Sequence, residues 1–337
     1  MPRTTSTIYQ VARRAGVSIA TVSRVQANHR AVTPQTRARV REAIDELGYR
    51  PSRSARQLAG QRHDATGIVF PDLSGPYYSE VILGYEERAS EAGLAVFILG
   101  TRGQARANQQ VEELADRVDG LLVMGRTVDD EVVQRTESAG VPVVMLARPP
   151  AGNADTVRAE NVASASALTE HLIDHRVRSF TFLGDPHASP DASERYAGFA
   201  AALRARGMPV PSPVPTMFRE SDGYAATSAL LADLEPHSAI VAANDEIAIG
   251  AIRAARGRGL RIPHDIAITG WDDISLAEHV SPGLTTVRQP LRALGATAAS
   301  LLIERICGDR TEPHHLVLET ELVVRGSCGR HGEQEDQ

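Results

Sequence analysis

The sequence predicts an α/β protein: an N-terminal all-α helix-turn-helix headpiece followed by two doubly wound parallel-sheet lobes. Three observations carry this. The first fifty residues hold three short amphipathic helix patterns, the first two joined by a four-residue turn containing Gly16. From Thr66 onward, short apolar runs alternate with helical patterns, as repeated βα units require. The charge is also divided. Residues 1–62 hold 12 arginines against Glu42, Asp45 and Glu46, a balance of +9, while the remaining 275 residues carry 24 arginines against 39 acids. A basic module fused to an acidic one is the layout of a nucleic-acid reader with a separate control domain. The 337 residues suffice for two or three domains.

Local signals justify each headpiece helix. Thr7-Ile8-Tyr9-Gln10 has the form of a capping box, in which the Thr7 hydroxyl accepts the Gln10 backbone N–H and Gln10 reaches back. Ile8, Val11, Ala12 and Ala15 then fall on one face, Gly16 ends the helix, and Val17 turns inward. Ser18 caps a second helix with Val22 and Val25 inside. Its outside, with Ser18, Thr21, Ser23 and Arg24, is more polar than a plain three-helix bundle requires. Pro34 opens a third helix after Thr33, Val40, Ile44 and Leu47 line its core face, and Gly48 stops it. The segment from Ser52 to Gly60 is weakly amphipathic and too short to be a stable helix alone.

The following strands are expected at 67–70, 95–99, 120–124, 142–146, 179–183, 239–242 and 266–270, with a last one at 321–325. Helices are expected near 76–92, 105–117, 129–139, 162–174, 191–206, 221–234 and 245–257. The seven alternating strands divide after the fourth into two lobes, and the proline-rich 210–215 stretch reads as a loop within the second.

Composition excludes several function classes. Apolar residues are 42% and charged residues 23% of the chain, ordinary globular proportions, and no apolar run approaches the ~18 residues of a membrane span. No apolar stretch follows Met1-Pro2-Arg3, so no signal peptide is expected; with only Cys307 and Cys328, a reduced, cytoplasmic location is expected. All 36 basic residues are arginine, which removes Schiff-base chemistry and the P-loop lysine. There is no Gly-x-Ser-x-Gly elbow, and Gly257 and Gly259 do not follow a strand. The histidines His171, His175, His187, His279, His314 and His315 read as scattered. No catalytic residue, metal site or cofactor is expected.

Taken together, Thr7-Ile8-Tyr9-Gln10-Val11-Ala12, Gly16-Val17-Ser18, Thr21-Val22-Ser23-Arg24-Val25 and the run from Ala43 to Pro51 resemble the headpiece of the lactose-repressor/galactose-repressor (LacI/GalR) family of bacterial transcriptional regulators. The resemblance implies that the helix after Ser18 enters the major groove of operator DNA. Ile19, Ala20 and Arg24 would face bases, and Thr7, Tyr9, Ser18, Thr21, Ser23, Thr33 and Tyr49 would hold the backbone or groove edges. Arg24 can pair bidentately with guanine, worth about 1–3 kcal/mol of discrimination. Ile19 and Ala20 can only favour thymine methyls or exclude bulk. Residues 51–62 would be a hinge helix that folds on DNA beside its dimer partner, with Ala55 where two hinges approach and Leu58 wedged into the minor groove. The family's usual Leu-Asn-Gly is here Gln26-Ala27-Asn28, which removes one amide contact to phosphate.

The remaining chain resembles the same family's sugar-binding domain, which is periplasmic-binding-protein-like. The carrying motifs are Phe70-Pro71-Asp72-Leu73-Ser74-Gly75-Pro76-Tyr77-Tyr78, Glu194-Arg195-Tyr196-Ala197-Gly198-Phe199, Ala243-Asn244-Asp245, Gly270-Trp271-Asp272-Asp273 and Leu284-Thr285-Thr286-Val287-Arg288-Gln289-Pro290. Each is expected at the carboxyl end of a strand or in the following loop, where open α/β sheets bind ligands. The lobes would be 65–162 with 289–318, and 163–288 with 319–328, within a 63–329 effector and dimerisation domain behind the 1–50 headpiece. The tail 330–337 is expected to be disordered.

Effector residues implied are Ser74, Tyr77, Tyr78, Arg148, Arg195, Asn244, Trp271, Asp272 and Gln289. Arg195 can span two hydroxyls with its guanidinium, and Asp272 can accept from two vicinal hydroxyls. For Asn244, Asp245, Asp272 and Asp273 helix capping is the structural alternative, and for Trp271 it is core packing. The family's Asp-Arg after the fourth strand is here Ala147-Arg148, one hydroxyl acceptor fewer. The implied function is that of a homodimeric repressor released from a pseudo-palindromic operator by a sugar or sugar derivative, with corepression as the runner-up. The tail carries no leucine heptad, so a dimer rather than a tail-mediated tetramer is expected. An enzyme, or a sugar binder serving transport, would show no salt-dependent sequence preference for DNA. Leu58→Ala is expected to weaken specific operator binding in a filter or mobility-shift titration while effector affinity stays unchanged. A loss of both would refute the hinge assignment.

Overall fold

The computed structural model describes residues 7–26, 32–47, 63–72, 75–101, 105–232 and 237–329. Tyr49, Ala55, Leu58, Ser74, Ala27, Asn28, the 51–62 hinge and the 330–337 tail lie outside the described residues. The chain divides into two units, Met1–Ala65 with Arg117–Asp119, and Thr66–Asp116 with Gly120–Gln337.

In the smaller unit, helices α1 (Ile8–Ala15), α2 (Ile19–Gln26) and α3 (Pro34–Leu47) bury Val11, Ala12, Ala15, Val22, Val25, Val40 and Ala43. Ile8, Val17, Ile44 and Leu47 pack around them. The α1–α2 turn is fixed by Gly16, at φ 63°, after which the Val17 N–H reaches the Ala12 carbonyl at 3.0 Å. Ser18 Oγ accepts the Thr21 N–H at 3.1 Å and Thr33 Oγ1 the Thr36 N–H at 3.3 Å, so both expected caps form. The expected capping box at Thr7 is present. Gln10 Oε1 accepts the Thr7 N–H at 2.8 Å and the Thr7 hydroxyl at 3.3 Å, and the Gln10 N–H also reaches the Thr7 carbonyl at 3.0 Å.

The larger unit has the expected parallel α/β class. One sheet has the order β10-β5-β4-β3-β1-β2, built from β1 (Ala65–Phe70), β2 (Ala95–Gly100), β3 (Leu121–Met124), β4 (Val143–Leu146), β5 (Asp155–Ala159) and β10 (His315–Leu318). The second is β6-β7-β8, from β6 (Ser179–Leu183), β7 (Ser238–Ala242) and β8 (Ile266–Thr269). A short antiparallel pair joins β9 (Thr286–Arg288) to β11 (Glu321–Val323). The helices between strands are α4 (Pro76–Glu91), α5 (Ala107–Ala115), α6 (Asp130–Ser138), α7 (Val162–Asp174), α8 (Pro190–Ala205), α9 (Glu220–Leu230) and α10 (Asp245–Gly257), followed by α11 (Ser275–His279) and α12 (Leu291–Cys307). No helix among the described residues is long and apolar enough to cross a membrane.

Four elements, β5, β9, α11 and α12, were not among the sequence expectations, nor was β10. β5 has no apolar run because Asp155 and Thr156 are both buried in it. Asp155 is held by the Arg310 guanidinium at 2.7 and 3.0 Å and by the His314 N–H at 2.6 Å. A buried carboxylate is tolerated there because three hydrogen bonds reach it and the Arg305 guanidinium stands a further 3.7 Å away. α12 lacks a clear polar face, since Leu291, Leu294, Ala298, Ala299, Leu301 and Leu302 are all buried against the first sheet and α4.

The α4–α12 contact is close because each helix offers a glycine. A Cβ on Gly84 would collide with the Arg292 carbonyl oxygen, and one on Gly295 with that of Val81. Gly84→Ala is therefore expected to lower unfolding free energy by about 1–3 kcal/mol through overpacking, read as a lower urea midpoint. An unchanged midpoint would show that the helices separate without cost.

Candidate functional site

The headpiece presents a face made by the start of α1 and the outside of α2. Tyr9 is 69% and Ile19 40% exposed, and Ser18, Ala20 and Arg24 are also exposed, whereas Thr21 and Ser23 are half-buried. The buried residues of α2 are Val22 and Val25, so the helix has an apolar inside and an outside free to meet a ligand. Thr7 and Thr33 sit exposed at the starts of α1 and α3. Apart from Tyr49, Ala55 and Leu58, all the sequence-derived DNA residues are thus at helix starts or on α2.

In the larger unit, a cavity of about 240 Å³ lies at the carboxyl ends of both parallel sheets. It is lined from the first by Asp72, Tyr77, Tyr78, Arg126 and Ala147, and from the second by Asp191, Arg195, Arg219, Asn244, Glu246 and Asp272, among others. Of the expected residues, Tyr77, Tyr78, Arg195, Asn244 and Asp272 come together here; Arg148, Trp271 and Gln289 do not line it. The 194–199 motif lies within α8, the helix expected near 191–206, and not at a strand end or in the loop that follows one.

Arg195 is buried at 3% exposure. Its Nε donates to Asn161 Oδ1 at 2.8 Å, its Nη1 to the Ala243 carbonyl at 2.6 Å, and its Nη2 stands 3.7 Å from Asp191. The Trp271 ring packs beneath it, 4.6 Å from guanidinium carbon to ring centroid. Trp271 is therefore a buried support for Arg195, and its indole N–H has no hydrogen-bond partner in the structure. Gln289 is likewise a support: its Nε2 donates to Asp272 Oδ1 at 2.5 Å. Arg148 turns to the protein itself, donating to the Gly125 and Val128 carbonyls and pairing with Asp130. Asn244 lines the cavity but spends its Oδ1 as cap of α10, accepting the Ile247 N–H at 2.9 Å. Asp245 and Asp273 are structural: Asp245 accepts from Thr286 and from the Ile274 N–H, and Asp273 binds Arg288 and Arg325, each at 2.7 Å.

The cavity carboxylates are electrostatically tense. Burial lifts Asp272 to about 7, against the opposing pull of Arg195 and of the Gln289 hydrogen bond. Burial also raises Asp191, again opposed by Arg195. Asp272 holds this position at φ 110°, a strained backbone for a residue with a Cβ. Tyr77 and Tyr78 meet edge to face at 5.3 Å, and Phe70 backs Tyr78 at 5.4 Å; burial raises both phenols. At the mouth, Arg219 bonds Asp72 at 2.8 Å and Arg126 reaches the His187 carbonyl at 3.3 Å, each joining the two lobes.

Sequence reasoning missed Asp72, Arg126, Asp191, Arg219 and Glu246. Asp191 had a signal: it lies in the first turn of a Ser189-Pro190 helix start, four residues before Arg195. Nor are all the histidines scattered. His171, in the last turn of α7, and His175, its C-cap, are four residues apart, and one ring nitrogen of each and the Cys328 Sγ lie within 4.8 Å of one another.

Comparison with known proteins is consistent over the chain. Residues 7–52 match the model for bacterial regulatory proteins of the lacI family, and residues 169–328 that of a periplasmic binding protein-like domain. The HTH-type transcriptional regulator CelR of Thermobifida fusca is 36% identical over 336 residues, covering 95% of this chain and 98% of that protein. The ribose operon repressor of Escherichia coli K12 is 34% identical, covering 96% and 100%. Among solved structures, a CelR–cellobiose complex superposes with TM-score 0.73 at 34% identity, covering 96% and 99%. The Lac repressor dimer bound to operator and the anti-inducer ONPF gives TM-score 0.82 at 29% identity, covering 97% and 100%.

The raised Asp272 has a measurable consequence. The native state keeps a proton that the unfolded chain releases near its ordinary value of 3.8, so this carboxyl opposes folding increasingly as pH rises toward about 7. Wild type is expected to lose stability between about pH 4 and 7, and Asp272→Asn to lose less, in urea titrations across that range. Asp191 and Asp245 act in the same direction, so part of the loss persists. Parallel curves for wild type and variant would contradict the assignment.

Proposed function

This chain belongs to the LacI family of bacterial regulatory proteins, and we propose that it is a repressor released from a pseudo-palindromic operator by a neutral sugar-like effector. The observation that carries this is the coexistence of an outward-facing helix-turn-helix surface with a cleft between two parallel-sheet lobes that is lined by several charged side chains and two tyrosines.

On DNA, α2 lies in the major groove with Ile19, Ala20 and Arg24 toward base edges. Thr7, Tyr9, Ser18, Thr21, Ser23, Thr33 and Tyr49 hold phosphates and groove edges. Two such headpieces on a homodimer read the two half-sites, and paired Leu58 wedges, flanked by Ala55, open the centre. The arginine-rich first 62 residues supply the salt-dependent part of the affinity.

In the cleft, the fixed Arg195 guanidinium and the Asp272 carboxylate bracket the ligand from the second lobe, and Tyr77 and Tyr78 offer an aromatic wall from the first. The ionisable lining includes Asp72, Asp185, Asp191, Glu246 and Asp272 against Arg126, Arg195 and Arg219. An acidic balance favours a polyhydroxyl ligand without phosphate or carboxylate. The cellobiose complex of a relative supports a sugar. The cavity of about 240 Å³ is below the ~300–1,000 Å³ usual for drug-sized ligands, which favours a small one. Ligand bound between the lobes biases their arrangement, and the Asp72–Arg219 and Arg126–His187 contacts are the bonds that rearrange. An exposed ion pair such as Asp72–Arg219 costs at most about 1 kcal/mol to break, little beside effector binding. The new arrangement separates the hinges, they melt, and operator affinity falls. The chain acts in the cytoplasm as a binder, and we assign it no catalytic step.

Selection of genomic fragments by the purified protein, with and without a pool of sugars, tests the whole reading. An enriched pseudo-palindrome that one neutral sugar removes is expected, and enrichment only when a sugar is added would reverse the sign of control. Arg24→Ala is expected to lower discrimination at one base pair by about 1–3 kcal/mol. Arg195→Ala is expected to keep operator binding but lose the sugar response. A fully responsive Arg195→Ala would overturn the cleft assignment.

A further inference from the structure

At the amino-terminal edge of the second sheet, away from the cleft, the last turn of α7 meets the chain segment after β11. His171 Nε2 stands 3.3 Å from Cys328 Sγ, the His171 and His175 rings pack edge to face with centroids 4.7 Å apart, and one nitrogen of each and the sulfur lie within 4.8 Å of one another. We propose that His171, His175 and Cys328 form a binding site for a divalent transition metal of the zinc class.

The chemistry of the donors selects the metal. Two imidazoles and a thiolate suit a borderline-soft ion, and they discriminate against magnesium and calcium, which take oxygen ligands. Zinc–nitrogen bonds of about 2.0–2.1 Å and a zinc–sulfur bond of about 2.3 Å place tetrahedral ligand atoms roughly 3.3–3.8 Å apart. The His171–Cys328 separation falls at this spacing, and rotation of the His175 ring or a backbone shift of about 1 Å closes the rest. The i, i+4 spacing puts both rings on one helix face.

The surroundings fit as well. Cys328 is 3% exposed, and the Thr285 hydroxyl is 3.0 Å from its sulfur, placed to donate to a thiolate. Its chain segment is rigidly tied: Ser327 Oγ accepts the Thr285 N–H at 2.8 Å and donates to the Ile268 carbonyl at 2.5 Å. Gly329, at φ 129°, leaves space that a side chain would take, since a Cβ there would stand 2.8 Å from His175 Nδ1. A cavity lined by His175 and Cys328 gives the metal an entry path and room for water as a fourth ligand. A metal here would clamp the end of α7 to the carboxyl-terminal segment and stabilise the lobe that carries Arg195 and Asp272.

The test is titration of the full-length, reduced, metal-stripped protein with Co²⁺ alone, followed by competition with Zn²⁺. Wild type is expected to bind one Co²⁺ with a sulfur-to-metal charge-transfer band and tetrahedral d–d bands, both bleached by Zn²⁺. Cys328→Ser is expected to lose the charge-transfer band, and His175→Gln to bind at least about tenfold more weakly. Replacing the exposed Cys307 by serine is expected to change nothing. Retained operator binding by each variant checks its fold. Absence of the sulfur band in wild type, its persistence in Cys328→Ser, or its loss in Cys307→Ser would overturn the site.

Discussion

The buried guanidinium of Arg195 is the charge around which the cleft is organised. A cation at 3% exposure needs partners from the protein, and here Asn161 and the Ala243 carbonyl accept hydrogen bonds from it, Asp191 stands 3.7 Å away, and Trp271 supports its face. Those partners come from the start of α7, the end of β7, the first turn of α8 and the loop after β8, so one side chain fixes four segments. The same cation makes Asp191 and Asp272 tolerable, since burial alone would drive both further toward the neutral acid. A ligand that replaces water in the cleft meets donors and acceptors already in place, which lowers the ordering cost of binding.

The sheets make this arrangement possible. Parallel strands bring all their carboxyl ends to one edge, and the loops that leave that edge carry the polar groups. The close α4–α12 packing through Gly84 and Gly295 holds the first lobe's half of the cleft, including Tyr77 and Tyr78 at the start of α4. The opposite edge of the second sheet is equally constrained, with Ser327 and Thr285 fastening the last described segment beside α7. The cleft and the histidine–cysteine cluster therefore occupy opposite ends of one rigid layer.

The sequence by itself determined the headpiece and most of the βα alternation. Helix caps, the Gly16 turn and 3.6-residue periodicity are local signals, and local signals need no knowledge of distant partners. Asp272 and Asn244 were legible because each stands in a motif just after a strand, and Arg195 because its motif falls in an expected helix. Tertiary structure alone decided the rest. Whether Arg148 faces the cleft depends on carbonyls 20 and 23 residues earlier, and Trp271 and Gln289 act only through the charged groups they support. β5 and α12 escaped prediction because burial on several sides and a paired internal charge erase the alternation that marks an exposed element. His171 and Cys328 are separated by 157 residues, and only the return of the chain past β11 makes them neighbours. Periodicity reports what each segment buries; which distant groups meet is set by how the buried faces close.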